Sequence, residues 1–189
     1  MNDVADGGTG STHWVIRRYT AKQTDAARAV LGREPTEEDF QILDIEPDSV
    51  SEVDGNLVTN AGWNRLLILA NAGTGNLVSS TTARVGAGNG GGTAAAGDTD
   101  LSAAAGSANR WFQTCTVTQP SNVTLQFVAT FASADGNFSW TEFGIDIGTA
   151  TVTSGNTVNA VLLNHKTSIA QGTKASGQTW TATATLTFT

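Results

Sequence analysis

The chain has 189 residues and a mass of 19.5 kDa, enough to bury one core without disulfides or a metal. Only 14% of its residues are charged and 21 are glycine, and its net charge of -7 argues against a nucleic-acid partner, which would call for basic surface. Cys115 is the only cysteine, which excludes an intrachain disulfide and a Cys-rich zinc site.

No stretch approaches the roughly 18 consecutive apolar residues of a membrane helix. The opening run Met1 to Gly8 has neither the basic nor the apolar part of a secretory signal, so synthesis and folding in a cytoplasm are expected.

Charge is segregated along the chain. Residues 1–54 carry five bases and twelve acids, whereas 55–189 carry five of each. Such a composition boundary predicts a charged N-terminal arm, 1–54, appended to a nearly uncharged module, 55–189. Within the arm, Trp14, Ile16 and Tyr19 form the first apolar anchor and are candidates for docking on another protein. A short helix is predicted over about 24–31, and a second from Pro35-Thr36, where Glu37, Glu38 and Asp39 would favour the helix dipole. The acid run 34–54 reads as a solvated face or a docking arm. As a calcium loop it lacks the glycine and terminal glutamate after Asp44, Glu46 and Asp48.

The module opens with a helix predicted over 61–71, capped by Thr59 or Asn60 and stopped by Gly73. Its apolar face, Trp63, Leu66, Leu67 and Ala70, needs a sheet or a partner to cover it. A strand follows over 78–85, then a long Gly/Ala/Thr loop to Leu101. From Trp111 onward the period is two, and strands are predicted over 111–118, 122–132, 138–147, 158–166 and 178–188. The last is the clearest: Trp180, Ala182, Ala184, Leu186 and Phe188 alternate with threonines. Turns at this spacing give a mainly β fold, an antiparallel β-sandwich or jelly-roll-like module with one short helix and an N-terminal extension. The five tryptophans read as core or interface anchors, with Trp63 and Trp111 joining the interface candidates.

Motifs for chemistry are sparse. Gly86, Gly88 and Gly91 fit a bare GxGxxG, but no Gly-Lys-Ser/Thr follows, and no helix between parallel strands supports a dinucleotide site. His13 and His165 have no neighbours at a zinc spacing. His165 reads as a structural histidine, with use beside Ser168 or Cys115 as the catalytic alternative. Asp98 and Asp100 could help bind calcium or cap the next element. Asp135, Glu142 and Asp146 are the acids from which a glycosidase pair would have to come. No cofactor, metal or catalytic residue is assigned, and the chain is expected not to be an enzyme.

The run Arg84-Val-Gly-Ala-Gly-Asn-Gly-Gly-Gly-Thr-Ala-Ala-Ala-Gly-Asp-Thr-Asp-Leu101, then Asn137-Phe-Ser-Trp-Thr-Glu-Phe-Gly-Ile145, Leu162-Leu-Asn-His-Lys166 and Gly172-Thr-Lys-Ala-Ser-Gly-Gln-Thr-Trp180 resembles small β-rich structural proteins of tailed-bacteriophage virions. The likeness covers about 56–189. It implies a virion protein assembled in the host cytoplasm: a capsid-decoration or head-stabilising protein acting by packing. The alternative within that group is a tail-tip, baseplate or fibre component that binds another tail protein or a host glycan. The implied partners are the major capsid protein or other virion proteins and further copies of itself, with no nucleic acid and no membrane.

Overall fold

The computed structural model describes residues 10–148 and 161–188. Among the described residues nine strands lie in one antiparallel sheet: β1 (Gly10–Tyr19), β2 (Ser49–Asp54), β3 (Leu57–Val58), β4 (Ala83–Gly88), β5 (Arg110–Ser121), β6 (Thr124–Phe131), β7 (Glu142–Ile147), β8 (Val161–Lys166) and β9 (Thr179–Phe188). Their spatial order is β2-β1-β9-β6-β5-β4-β7-β8-β3. Three helices accompany them: α1 (Ala21–Leu31), α2 (Glu37–Ile42) and α3 (Asn60–Ala72).

The sheet folds on itself at β5. The first part of this strand, Arg110 to Thr114, pairs with β4, and its second part, from Cys115, pairs with β6. The two halves therefore face each other. Trp14 of β1 stacks on Phe143 of β7 with ring centroids 4.9 Å apart, and Trp140 meets Trp180 of β9 edge-on at 4.9 Å. One core joins Trp14, Ile16, Phe127, Phe131, Ile145, Leu163 and Ala184 from both halves. The mainly β, antiparallel fold read from the period-two strands is the fold observed.

The predicted arm is built differently from expectation. Among the described residues, 10–54 is integral to the fold. β1 pairs with β9 from Gly10↔Phe188 to Tyr19↔Thr179, and β2 pairs with its other edge. The boundary at 54/55 thus falls within a continuous sheet, in the connection between β2 and β3, because backbone pairing and apolar alternation act regardless of net charge. Trp14 and Ile16 are fully buried in the main core. Tyr19 is buried in a second one, stacked on Phe40 with centroids 3.7 Å apart beside Ala27. These three anchors serve the chain's own interior.

Capping fixes where the helices begin. Thr20 and Gln23 form a reciprocal capping box for α1, and Thr36 and Asp39 form one for α2, satisfying otherwise orphaned N–H groups. Asp39 is also gripped by Arg33 at 2.6 and 2.8 Å. Thr59 caps α3 by accepting from Gly62 N at 2.9 Å, and Gly73 ends that helix in the left-handed region. α3 lies against β8 so closely that a Cβ on Gly62 would stand 2.3 Å from the Leu163 carbonyl oxygen. Trp63 and Trp111 stay half-buried, Trp63 edge-on to Phe188 and Trp111 donating from Nε1 to Gln113 at 2.9 Å. β4 begins at Ala83, later than the predicted 78. The predicted strand 158–166 is seen from Val161, its first positions lying outside the described residues.

Candidate functional site

Three separate stretches bring titratable groups together where the Gly/Ala/Thr loop crosses β7 and β8. Glu142 opens β7 and is wholly buried. His165 lies on β8, opposite Gly144, and is also buried. Asp98 comes from the loop. His165 Nε2 lies 2.9 Å from Glu142 Oε2, and its Nδ1 lies 2.6 Å from Asp98 Oδ2. The imidazole is thus held between two carboxylates.

Glu142 also gathers the loop. Its Oε2 accepts from Ser102 N at 2.8 Å and Ser102 Oγ at 2.6 Å, and its Oε1 accepts from Ala103 N at 2.7 Å and Gly90 N at 3.2 Å. Gly90 has no side chain for a physical reason: a Cβ there would stand 2.3 Å from Ala103 N and 2.4 Å from the carboxylate. Asp98 accepts from Ala95 N at 2.8 Å, and Ala94 N donates to Thr167 Oγ1 at 3.1 Å. Asp100 pairs with Arg110 at 2.7 Å. Residues 89–103 are therefore pinned to the sheet at both ends and in the middle.

Electrostatics follow from this geometry. Burial by itself would raise the Glu142 pKa. Donation from His165 and from the side chain and backbone of Ser102, with Ala103, outweighs burial and brings the carboxyl down to about 2. Burial likewise disfavours charge on His165, but the bonds to Glu142 and Asp98, and their charges, lift it above its ordinary value. Asp98 is held low by the Ala95 N–H, against burial, with help from His165. The array is an imidazolium between two carboxylates, charged because each member sustains the others.

Both ring nitrogens of His165 are engaged. With both ring nitrogens facing acceptors, the imidazolium has no lone pair for a substrate proton or a metal. The nearby hydroxyl, Ser102 Oγ, donates to Glu142 and makes no nucleophile–base pair with His165. Of the two nucleophiles considered beside His165, Ser168 and Cys115, the cysteine sits in the main core, where burial pushes its thiol up to about 12. Of the three acids considered for a glycosidase pair, Glu142 is in the clamp, Asp146 is buried on β7 in register with Arg84, and Asp135 lies in the β6–β7 connection. Among the described residues no group of three or more His, Cys, Asp or Glu is arranged to hold a metal. Part of the acidic stretch is paired within the chain: Glu37 with Arg17 at 2.8 Å, Glu34 with Arg28 at 2.7 Å and Asp39 with Arg33 at 2.6 Å.

The accessible feature is a broad groove of about 1080 Å³ on the outer face of the sheet. Its floor is the polar side of β5, β6 and β9, including Thr116, Thr118, Gln126, Thr130 and Thr183, and one wall is the Glu34–Gln41 stretch around α2. Alternation explains it: odd positions of β6 enter the core, so Gln126, Val128 and Thr130 face out. The two candidates Trp63 and Trp111 are not among its lining residues.

Sequence reasoning singled out Glu142, His165 and Asp98 separately and did not join them. The available signal was a pair of acids, Glu142 and Asp146, in the short strand Glu142-Phe-Gly-Ile-Asp-Ile147, since a buried carboxylate needs buried donors. No protein-family model, curated protein or solved structure matches this chain.

Proposed function

We propose that this chain is a non-catalytic structural protein of a phage virion, a capsid-decoration or head-stabilising subunit that acts by packing against the shell and against its own copies. The observation that supports the non-catalytic part is the Asp98–His165–Glu142 array, in which both ring nitrogens of His165 and both oxygens of Glu142 are engaged. The densest cluster of titratable groups spends its bonding capacity on holding a long loop rigid, as a scaffold requires and an active site does not. The virion assignment rests on the resemblance of the four sequence segments quoted above.

In this reading the Thr/Gln groove receives a polar segment of the shell protein. Hydroxyl and amide side chains along the outer face of the sheet supply donors and acceptors for such a segment. The test is cryo-electron microscopy of particles carrying this gene product, combined with shell binding by a Thr116→Trp variant that fills the groove from an exposed position. Many copies on the capsid lattice, and loss of shell binding by the variant with unchanged melting, are the expected results. A few copies confined to the tail, or a monomer that ignores assembled shells, would overturn the proposal.

A further inference from the structure

Lys174 is 1% exposed, an unusual position for a lysine. Among the described residues no carboxylate lies within ion-pair distance of its Nζ. Instead Nζ donates to the Ala132 carbonyl at 2.7 Å and to Asn137 Oδ1 at 2.8 Å. The backbone fixes this meeting: Lys174 N donates to Phe138 O at 3.1 Å, and Thr173 and Ser139 form an antiparallel bridge. The amide of Asn137 is oriented from its other end, with Nδ2 donating to Ser133 O at 3.1 Å. A carbonyl bond of about 1.2 Å beyond Oδ1 places the Asn137 Cγ within about 4 Å of Nζ, close to the separation from which intramolecular attack proceeds.

We propose that Lys174 and Asn137 form an intramolecular isopeptide bond, tying the β6–β7 connection to the segment that leads into β9. Neutral Nζ attacks Cγ of Asn137, the Nζ–Cγ bond forms and the Cγ–Nδ2 bond breaks. One Nζ proton leaves with Nδ2 as ammonia, and the other remains on the new amide. The step exchanges one amide for another and consumes no oxidant, reductant or nucleotide. The burial of the amine favours it. Burial lowers the lysine to about 8, against the opposing charges of Asp135 and Glu34, so a useful fraction of nucleophilic amine exists near neutrality.

The experiment is peptide mapping and intact mass of the full chain, before and after incubation of the folded protein at about pH 9. The expected result is a mass about 17 Da below that of the sequence, with a branched tryptic peptide joining Lys174 to Asn137 and no cleavage after Lys174. Bond formation should slow about tenfold for each pH unit below about 8, following the neutral amine. Asn137→Ser and Lys174→Met should each abolish the branched peptide. A mass loss accompanied by normal cleavage at Lys174 would mean succinimide formation at an asparagine or aspartate and would overturn the proposal. So would an unchanged mass after incubation of folded wild-type protein, a result that does not depend on either variant folding.

Discussion

Replacing Glu142 by glutamine removes one charge from the center of the loop clamp and changes the shape of the side chain very little. The magnitude can be worked from the carboxyl's own environment. A buried group held at about 2 in place of 4.5 stabilises the folded state by about 3 kcal/mol when ionised. Glutamine also turns one acceptor into a donor facing the N–H groups of the loop, and it leaves His165 with one carboxylate, so a loss of about 3–5 kcal/mol is expected. Urea unfolding across pH is the assay. Because the folded carboxyl is depressed, its contribution in the wild type is complete above about 4.5 and disappears as pH falls toward about 2. His165 is raised, so its contribution is complete below its ordinary 6.5 and disappears as pH climbs through the higher folded value. The wild type should therefore be most stable between these limits, whereas the variant should lose much of the acid limb and show faster amide exchange at Ser102 and Ala103. A loss below about 1 kcal/mol at about pH 6, or an unchanged acid limb, would refute the idea that this carboxylate organises the loop.

Gly62→Ala should destabilise the protein by about 1–3 kcal/mol through overpacking against the Leu163 backbone, although alanine would gain about 1 kcal/mol in a free helix; thermal melting gives the sign, and a rise in melting temperature would contradict the close approach. Deleting 1–54 should leave a chain without the cooperative transition of the full protein, because β9 loses its β1 partner and the core loses Trp14 and Ile16. A soluble fragment with a sharp melt would instead support an appended arm.

How much was legible depends on where each element finds its partners. β6 alternates in burial and β9 alternates apolar residues with threonines in its sequence, although its Thr179, Thr181 and Thr183 are buried too, and α3 carries Thr59 and Gly73 at its ends, so local pattern was enough. β1 was hidden because Val15 and Arg17 alternate with the buried Trp14 and Ile16, and the Arg17-Arg18 pair resembles a charged arm. β2, Ser-Val-Ser-Glu-Val-Asp, is an exposed edge strand whose acids look like part of a solvated run. The clamp needed three segments brought together by tertiary folding, and no spacing in the sequence encodes that meeting. Lys174 gave no local signal at all: it sits between Gly172 and Gly177 in a stretch that reads as an ordinary polar turn, and its burial comes from the Ala132–Asn137 turn packed around it.

The position of β9 between β1 and β6 also sets a schedule for the growing chain. Both flanking strands leave the ribosome long before the strand that joins them, and until residues 179–188 emerge each exposes an unpaired edge and the apolar side that later closes the core. Once β6 is complete at Phe131 the nascent protein must hold two sticky borders apart until β9 emerges, which makes slow non-local pairing and concentration-dependent aggregation the expected hazards of its production.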